Sequence, residues 1–210
     1  MTRPIALPLS VVACLCASCQ GPSAREEKAV QAIEALGGQV TRDEALLDRP
    51  VVEVDLSGIK VTDAGLKVLK EFKDLQELNL SHTQITDAGL RDLRELKGLQ
   101  ALWLSGTQIT DVGLKVLKEL KDLQSLDLGG TKITDAGLKD LKELRGLQEL
   151  WFTNIKITDA GVKDLKELKS LKRLSLWDTQ ITDAGLMDLK QALPKTEIYA
   201  CSTIPCESER

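Results

Sequence analysis

A hydrophobic pattern with a period of 24 residues runs through most of this chain and constrains its fold more than any other feature. The run from Val61 to Leu66 reads Val-Thr-Asp-Ala-Gly-Leu. It returns with conservative changes at 85–90, 109–114, 133–138, 157–162 and 181–186, without an insertion between copies. Such a fixed period indicates a solenoid, in which each unit packs against its neighbours and the stack offers a long surface for binding.

Within each copy the spacing of the hydrophobic residues changes from two to three. Leu78 and Leu80 alternate with polar residues, which indicates a strand, whereas Leu90, Leu93 and Leu96 step by three, which indicates a helix. Parallel strands lie about 4.8 Å apart, but helices are about 10 Å wide. Pairing them one to one therefore predicts an α/β solenoid, a right-handed horseshoe arc with a parallel sheet on its concave face and short helices on its convex face.

The full pattern, Leu-x-x-Leu-x-Leu-x-x-Thr-x-Ile-Thr-Asp-Ala-Gly-Leu-x-x-Leu, resembles the bacterial-type leucine-rich repeats of 24 residues and the class related to the cysteine-containing repeats of F-box proteins. The resemblance covers about 51–200. The ninth position, Cys or Asn in that class, is Thr at 83, 107, 131 and 179 and Ile at 59 and 155, so a continuous side-chain ladder is not expected there. No F-box-like segment precedes the repeats, so a ligase role is not implied.

The sequence divides into four predicted parts. Residues 1–19 are an export signal, 20–50 a tether and N-terminal helical cap, 51–194 the six repeats, and 195–210 a closing half-repeat with a C-terminal cap. In the N-terminal cap we expect a helix from Ser23 to Leu36, which ends at Gly37-Gly38, and a strand from Gln39 to Arg42.

The first residues have the composition of an export signal. Arg3 is the only charge before Arg25, and the apolar stretch that follows it is too short to span a bilayer. A buried helix is the alternative, but Pro4 and Pro8 disfavour it. The expected location is therefore the cell envelope, either anchored by lipid or free in the periplasm or outside the cell.

The cysteines lie at the two ends of the chain. The run Cys16-Ala17-Ser18-Cys19 resembles the bacterial lipoprotein box, which implies acylation of Cys19, although the run that ends at Cys14 is a competing fit. An N-terminal lipid is the only route to a membrane that the sequence indicates. Cys201 and Cys206 lie close together, and in an exported protein such a pair predicts a disulfide rather than a metal site.

The repeated aspartates permit two interpretations. They are expected to stack into a column that either binds metal or caps helices. Neighbours about 5 Å apart repel by about 0.8 kcal/mol in water, and a cap of about 1 kcal/mol offsets that cost. Capping is therefore favoured, and neither a metal nor a cofactor is predicted. The members of the column are Asp63, Asp87, Asp111, Asp135, Asp159 and Asp183.

Charge and composition exclude other classes of function. A net charge of -4 and a pI near 5.2 argue against a nucleic-acid surface. His82 is the only histidine and is expected on the rim, so no Ser-His-Asp or Cys-His set can be assembled. The sequence predicts a binding protein and not an enzyme.

The residues that do not follow the repeat are the candidate binding site. All three tryptophans and the only tyrosine are predicted to project from the concave sheet, where exposed aromatic side chains commonly mark an interface. Charged residues accompany them, and an acidic stretch around Glu53, Asp55 and Glu77 precedes them. The predicted site comprises Trp103, Asp127, Glu149, Trp151, Arg173, Trp177 and Tyr199.

Several functions fit such a surface. Capture of a protein or peptide is favoured, and the acidic stretch suits a partner with positive charge. Carbohydrate binding is an alternative, since Trp faces stack on sugar rings. A structural or self-associating module is another, and a ligase-type substrate receptor is a fourth if residues 1–19 are not a signal.

Overall fold

The computed structural model describes residues 23–200. Cys19, Cys201 and Cys206 lie outside the described residues, so the lipidation site and the disulfide stay predictions, as does the domain division that depends on both ends. The strands are β1 (Gln39–Arg42), β2 (Val51–Asp55), β3 (Glu77–Asn79), β4 (Ala101–Trp103), β5 (Ser125–Asp127), β6 (Glu149–Trp151), β7 (Arg173–Ser175) and β8 (Glu197–Tyr199). The helices are α1 (Ala24–Ala35), α2 (Asp87–Leu93), α3 (Asp111–Leu117), α4 (Asp135–Leu138), α5 (Asp159–Leu165) and α6 (Asp183–Ala192), with 3₁₀ segments at Asp63–Glu71 and Leu141–Glu143.

These strands form one sheet in chain order. From β2 to β8 every neighbouring pair is parallel and in register with the repeat, so Leu102 pairs with Leu126 and Leu126 with Leu150. The inward leucines are fully buried. The predicted α/β leucine-rich-repeat solenoid is therefore confirmed: the parallel sheet lies on the concave face and the short helices lie on the convex face.

The N-terminal cap follows the sequence closely. Ser23 is the N-cap of α1, and its hydroxyl accepts a hydrogen bond from the Glu26 N–H at 3.0 Å. The helix ends just before Gly37, whose φ of 88° suits glycine. The strand expected from Gln39 is present, and it pairs antiparallel with β2. This short antiparallel strand forms the first edge of the sheet in place of β2, the first strand of the parallel stack.

The threonines at the ninth position bond within their own turns. Thr107 Oγ1 donates to the Leu104 carbonyl at 2.6 Å, and Thr131 Oγ1 donates to the Leu128 carbonyl at 2.6 Å. Both threonines are buried, so this bond satisfies a hydroxyl that burial would otherwise leave without a partner. These hydroxyls do not bond from one repeat to the next, and the apolar Ile155 fills the same position in the repeat of β6.

The aspartate column joins repeats and does not cap its own helices. Thr110 is the N-cap of α3, because its hydroxyl accepts from the Val112 N–H at 3.2 Å. Asp87, in the preceding repeat, accepts from the Thr110 N–H at 2.9 Å and from its hydroxyl at 2.6 Å. We call this arrangement the clasp. The prediction that the aspartates cap their helices is therefore wrong, and the threonine before each of α2 to α6 provides the cap instead. The clasps are Asp63–Thr86, Asp87–Thr110, Asp111–Thr134, Asp135–Thr158 and Asp159–Thr182.

The glycine of each later repeat makes room for the clasp. A Cβ atom added to Gly113 would lie 2.5 Å from Oδ1 of Asp87 and 2.9 Å from Cδ1 of Leu90. The same carboxylate contact would arise at Gly89, at 2.5 Å from Oδ1 of Asp63. The group that these glycines accommodate is the carboxylate of the preceding repeat.

Candidate functional site

The concave face carries three rows of outward side chains, one residue per strand in each row. Strand pairing defines the first two rows, and the backbone bonds that continue past the strands define the third. The first row is Glu53, Glu77, Ala101, Ser125, Glu149, Arg173 and Glu197. The middle row is Asp55, Asn79, Trp103, Asp127, Trp151, Ser175 and Tyr199. The third row is Ser57, Ser81, Ser105, Gly129, Thr153 and Trp177.

Six of the seven predicted site residues lie on β4 to β8, and Trp177 directly follows β7. Trp103, Asp127 and Trp151 are consecutive members of the middle row, because Trp103 pairs with Asp127 and Asp127 with Trp151. Trp177 lies in the third row, and Tyr199 lies on the last described strand. The aromatic side chains thus fall into a central group and a group near the C-terminal edge of the sheet.

The two predicted carboxylates of the site have different surroundings. Glu149 forms an ion pair with Arg173 on the next strand, and Ser125 Oγ donates to Glu149 Oε2 at 3.3 Å. Asp127 takes part in none of the ion pairs found among residues 23–200. The charge of Glu149 is therefore compensated within the chain, whereas that of Asp127 is available to a ligand.

Asp127 is half-buried and forms a local turn. Its Oδ1 accepts a hydrogen bond from the Gly129 N–H at 2.9 Å. Burial raises the pKa of the Asp127 carboxyl above its ordinary value, and the Gly129 bond and nearby His82 oppose that shift in part. Burial disfavours the charged form of a carboxyl group that has no ion-pair partner. A cation bound beside Asp127 would therefore stabilise its carboxylate.

His82 is the residue that sequence reasoning undervalued. It is exposed, as expected, but it has a φ of 58° and its imidazole lies over Gly106, where an added Cβ would be 2.5 Å from His82 Nδ1. Gly58, Gly106 and Gly130 hold the same position in other repeats, also with positive φ. The other two repeats have Asn154 and Asp178 there, again with positive φ, so the available signal was a position held by glycine and by residues that tolerate the left-handed region. The result is a histidine close enough to act electrostatically on Asp127.

The C-terminal edge of the concave face combines aromatic and charged groups. Tyr199 donates its hydroxyl hydrogen bond to Glu197 Oε2 at 2.8 Å. That bond, together with the charge of Glu197, raises the pKa of Tyr199, while the charge of Arg173 lowers it. Trp177 and Tyr199 remain 44% and 46% exposed. Large apolar side chains at such exposure on a sheet face are typical of binding surfaces.

Between residues 23 and 200, no group of three or more His, Cys, Asp or Glu side chains is placed to hold a metal ion. In the same range, no helix is long and apolar enough to cross a bilayer. The arrangement offers aromatic faces, one unpaired carboxylate and one compensated ion pair, which together suit recognition.

One strand and one short helix per 24 residues, stacked in parallel, define this chain as an α/β solenoid. Its units are leucine-rich repeats, as the sequence predicted. A leucine-rich-repeat family model matches twice, at 73–119 and 97–143, and a second such model matches at 167–190. The narrower resemblance to the cysteine-containing class stays a prediction. Among curated proteins, no sequence matches significantly.

Solved structures of bacterial proteins share this fold. A leucine-rich-repeat protein of Leptospira interrogans is 32% identical over 63% of this chain, with a TM-score of 0.53. Internalin F of Listeria monocytogenes is 25% identical over 86% of this chain, with a TM-score of 0.54. The chain spans 33% of the Leptospira protein and 56% of internalin F. Internalin C2 of Listeria monocytogenes is 23% identical, with a TM-score of 0.54. The match covers 86% of this chain and 87% of internalin C2, and at this identity it shows the shared fold alone.

Proposed function

We propose that this protein is an exported, non-catalytic binding protein that recognises a protein or peptide on the concave face between β4 and β8. Leucine-rich repeats generally serve as scaffolds for protein interaction. The observation that carries the proposal is the outward aromatic surface: Trp177 and Tyr199 are exposed and Trp151 is partly exposed, on a sheet whose inward residues are buried. Tryptophan and tyrosine supply much of the binding energy at protein interfaces because they bury large area at low entropic cost.

The charges on the concave face favour a particular kind of partner. Glu53, Asp55 and Glu77 lie on β2 and β3, and Arg173 on β7 is compensated by Glu149. The N-terminal half of the face is therefore acidic and the C-terminal half is aromatic. A peptide with basic residues at one end and apolar residues at the other would complement both halves.

A peptide selection tests the proposed function. Peptides are first selected from a displayed random library on the immobilised wild-type protein. When Trp151 and Trp177 are both replaced by Ala, the protein should bind these peptides at least tenfold more weakly, because hot-spot aromatics contribute about 2 kcal/mol or more each. The matched control is the double variant Val112→Ala/Met187→Ala. It removes exposed apolar side chains from α3 and α6, away from the sheet, and should bind as the wild type does.

Two outcomes would contradict this assignment. If the Trp151→Ala/Trp177→Ala variant bound the selected peptides as tightly as the wild type does, the concave face would not be the binding site. Binding of sugars on a glycan array, with quenching of tryptophan fluorescence and no selected peptide, would instead support carbohydrate recognition. That alternative is favoured by the combination of tryptophan faces with carboxylates on one surface.

Export and lipid anchoring belong to the same proposal. Their support is the sequence of residues 1–19, where a short apolar segment precedes Cys19. Mass spectrometry of the mature protein in a bacterial host should find a chain that begins at an acylated Cys19. A chain that retains Met1 in the cytoplasm would contradict export, and a mature chain cleaved without acylation would contradict the anchor alone.

A further inference from the structure

The centre of the middle row has an arrangement that the rest of the concave face lacks. Asp127 lies between Trp103 and Trp151 across three adjacent strands. With strands about 4.8 Å apart, the two tryptophan backbones are about 10 Å from each other. Along its own strand Asp127 is flanked by small outward residues, Ser125 and Gly129. A carboxylate thus lies between two indoles in one direction and between two small residues in the other.

The charge of Asp127 is not required for the local turn. Asn79 occupies the same row and accepts the same bond through its neutral amide oxygen, from the Ser81 N–H at 3.0 Å. Asp55 accepts the equivalent bond from the Ser57 N–H at 2.7 Å. An asparagine would therefore fulfil the structural need at 127. The half-buried negative charge is additional, and within the described residues nothing forms an ion pair with it.

Two independent attractions at this position favour the same ligand. A tryptophan face attracts a cation that lies within about 6 Å of the ring centre, and a partly desolvated carboxylate attracts a cation more strongly than one in bulk water. A neutral or anionic group would satisfy neither attraction. Glu149 does not compete for the cation because Arg173 already compensates its charge.

We infer that Trp103, Asp127 and Trp151 form a receptor for a single cationic side chain, a protonated lysine or arginine of the partner, held over the carboxylate between the two indoles. This inference rests on the proposed function, because it specifies what part of a protein or peptide the concave face recognises. It places the specificity of the face at its centre, whereas Trp177 and Tyr199 contribute apolar contact nearer the C-terminal edge.

The test uses small probes that differ only in charge. N-acetyl-lysine amide and N-acetyl-arginine amide are compared with the neutral N-acetyl-norleucine amide and N-acetyl-citrulline amide, by nuclear magnetic resonance of the three indole N–H groups in the whole protein. We expect saturable shifts of Trp103 and Trp151 with the cationic probes and none with the neutral ones. The signal of Trp177 should not respond.

Matched variants locate the charge that matters. Asp127→Asn keeps the hydrogen bond to Gly129, as Asn79 shows for its own turn, and should weaken binding of both cationic probes about tenfold or more, which is the scale of a lost charge-assisted contact. Asp55→Asn makes the same replacement in the same row, two strands from Trp103 and outside the interval between the two indoles, and should leave the titrations unchanged. Equal responses to neutral and cationic probes, or unchanged binding by Asp127→Asn, would overturn the inference.

The peptide selection separates this inference from the proposed function. Selected peptides that require Trp151 but tolerate replacement of Arg by citrulline and of Lys by norleucine would uphold peptide binding and overturn the cation receptor. Saturable binding of the cationic probes with no selected peptide would uphold the receptor and overturn peptide capture. The result that would support both hypotheses has two parts. The selected peptides lose affinity for the wild type when Arg is replaced by citrulline or Lys by norleucine, and the same replacements cost less affinity for the Asp127→Asn variant.

Discussion

The clasp column and the middle row of the concave face are built alike, but the residue types are repeated along the first and vary along the second. Each is a line of side chains that takes one residue from every repeat. The clasp column repeats Asp and Thr five times with nearly the same geometry, as in Asp87 Oδ2 to Thr110 Oγ1 at 2.6 Å. The middle row contains Trp103, Asp127 and Trp151 in succession, and no residue type is shared by all of its members. Stacking therefore requires the first line, whereas the second is free to carry recognition.

This comparison predicts that substitutions in the clasp column reduce stability and that substitutions in the middle row alter binding. Solenoid stability is approximately a sum of repeat terms and interface terms between neighbours. A clasp belongs to an interface term, so its loss should weaken the stack locally. A middle-row side chain points away from the core and should contribute little to the same sum.

The largest effect is expected for Gly113→Ala. The new methyl group would displace the Asp87 carboxylate and crowd Leu90, so the free energy of unfolding should fall by about 2–4 kcal/mol, although alanine favours the helix. Urea denaturation followed by circular dichroism measures the loss. The double variant Asp87→Ala/Gly113→Ala removes the contact with the carboxylate and leaves those with Ile109 and Leu90, so its loss should be less than the sum of the single losses. Additive losses would show that the glycine serves another purpose.

A smaller effect is expected for Asp87→Ala alone. The replacement leaves the part-buried Thr110 N–H and hydroxyl without their acceptor and should cost about 1–3 kcal/mol. Asp122→Ala is the control, because Asp122 is exposed and takes part in no side-chain hydrogen bond or ion pair among residues 23–200. If Asp122→Ala destabilised the protein as much as Asp87→Ala, the clasp would not be the source of the loss.

The sequence predicted much of the scaffold because the scaffold is local and repeated. Leucine spacing determined the strand register, and a threonine before each helix determined the cap. The clasp was not predictable in the same way, because Asp87 and Thr110 come together only when two turns are superposed. The sequence also contained no indication that β1 pairs antiparallel, since direction depends on how the cap folds back onto β2.

The positions of the candidate site residues on the sheet were predictable, and their electrostatics less so. Strand alternation was sufficient to place Trp103, Trp151 and Tyr199 in one row. The ion pair of Arg173 with Glu149 and the lack of one at Asp127 depend on side-chain reach across strands, which the repeat pattern does not specify. The approach of His82 to Asp127 depends on a left-handed turn that glycines in other repeats only suggested.

The smallest predicted effect concerns the stability of Asp127→Asn as pH changes. Burial raises the pKa of Asp127 above its ordinary 3.8 in the folded state, so folding favours the protonated form. Below pH 3.8 the carboxyl is protonated in both states and carries no penalty. As pH rises through the folded pKa, the wild type loses the stability that comes from folding with Asp127 protonated. The Asp127→Asn variant does not lose it, because asparagine does not ionise. Asp127→Asn should therefore be slightly more stable than the wild type at pH 7, and the difference should shrink as pH falls toward 3.8.

Urea denaturation at a series of pH values measures this difference, and Asp55→Asn corrects for the loss of one negative charge from the same row. A wild type that is more stable than Asp127→Asn at pH 7 would mean that the folded chain gains from the charge, and that Asp127 supports the scaffold. The expected result, a wild type less stable than Asp127→Asn at pH 7, has the opposite meaning. The unliganded protein then retains a charge that lowers its stability, as expected of a residue that binds a cation and whose charge the fold does not require.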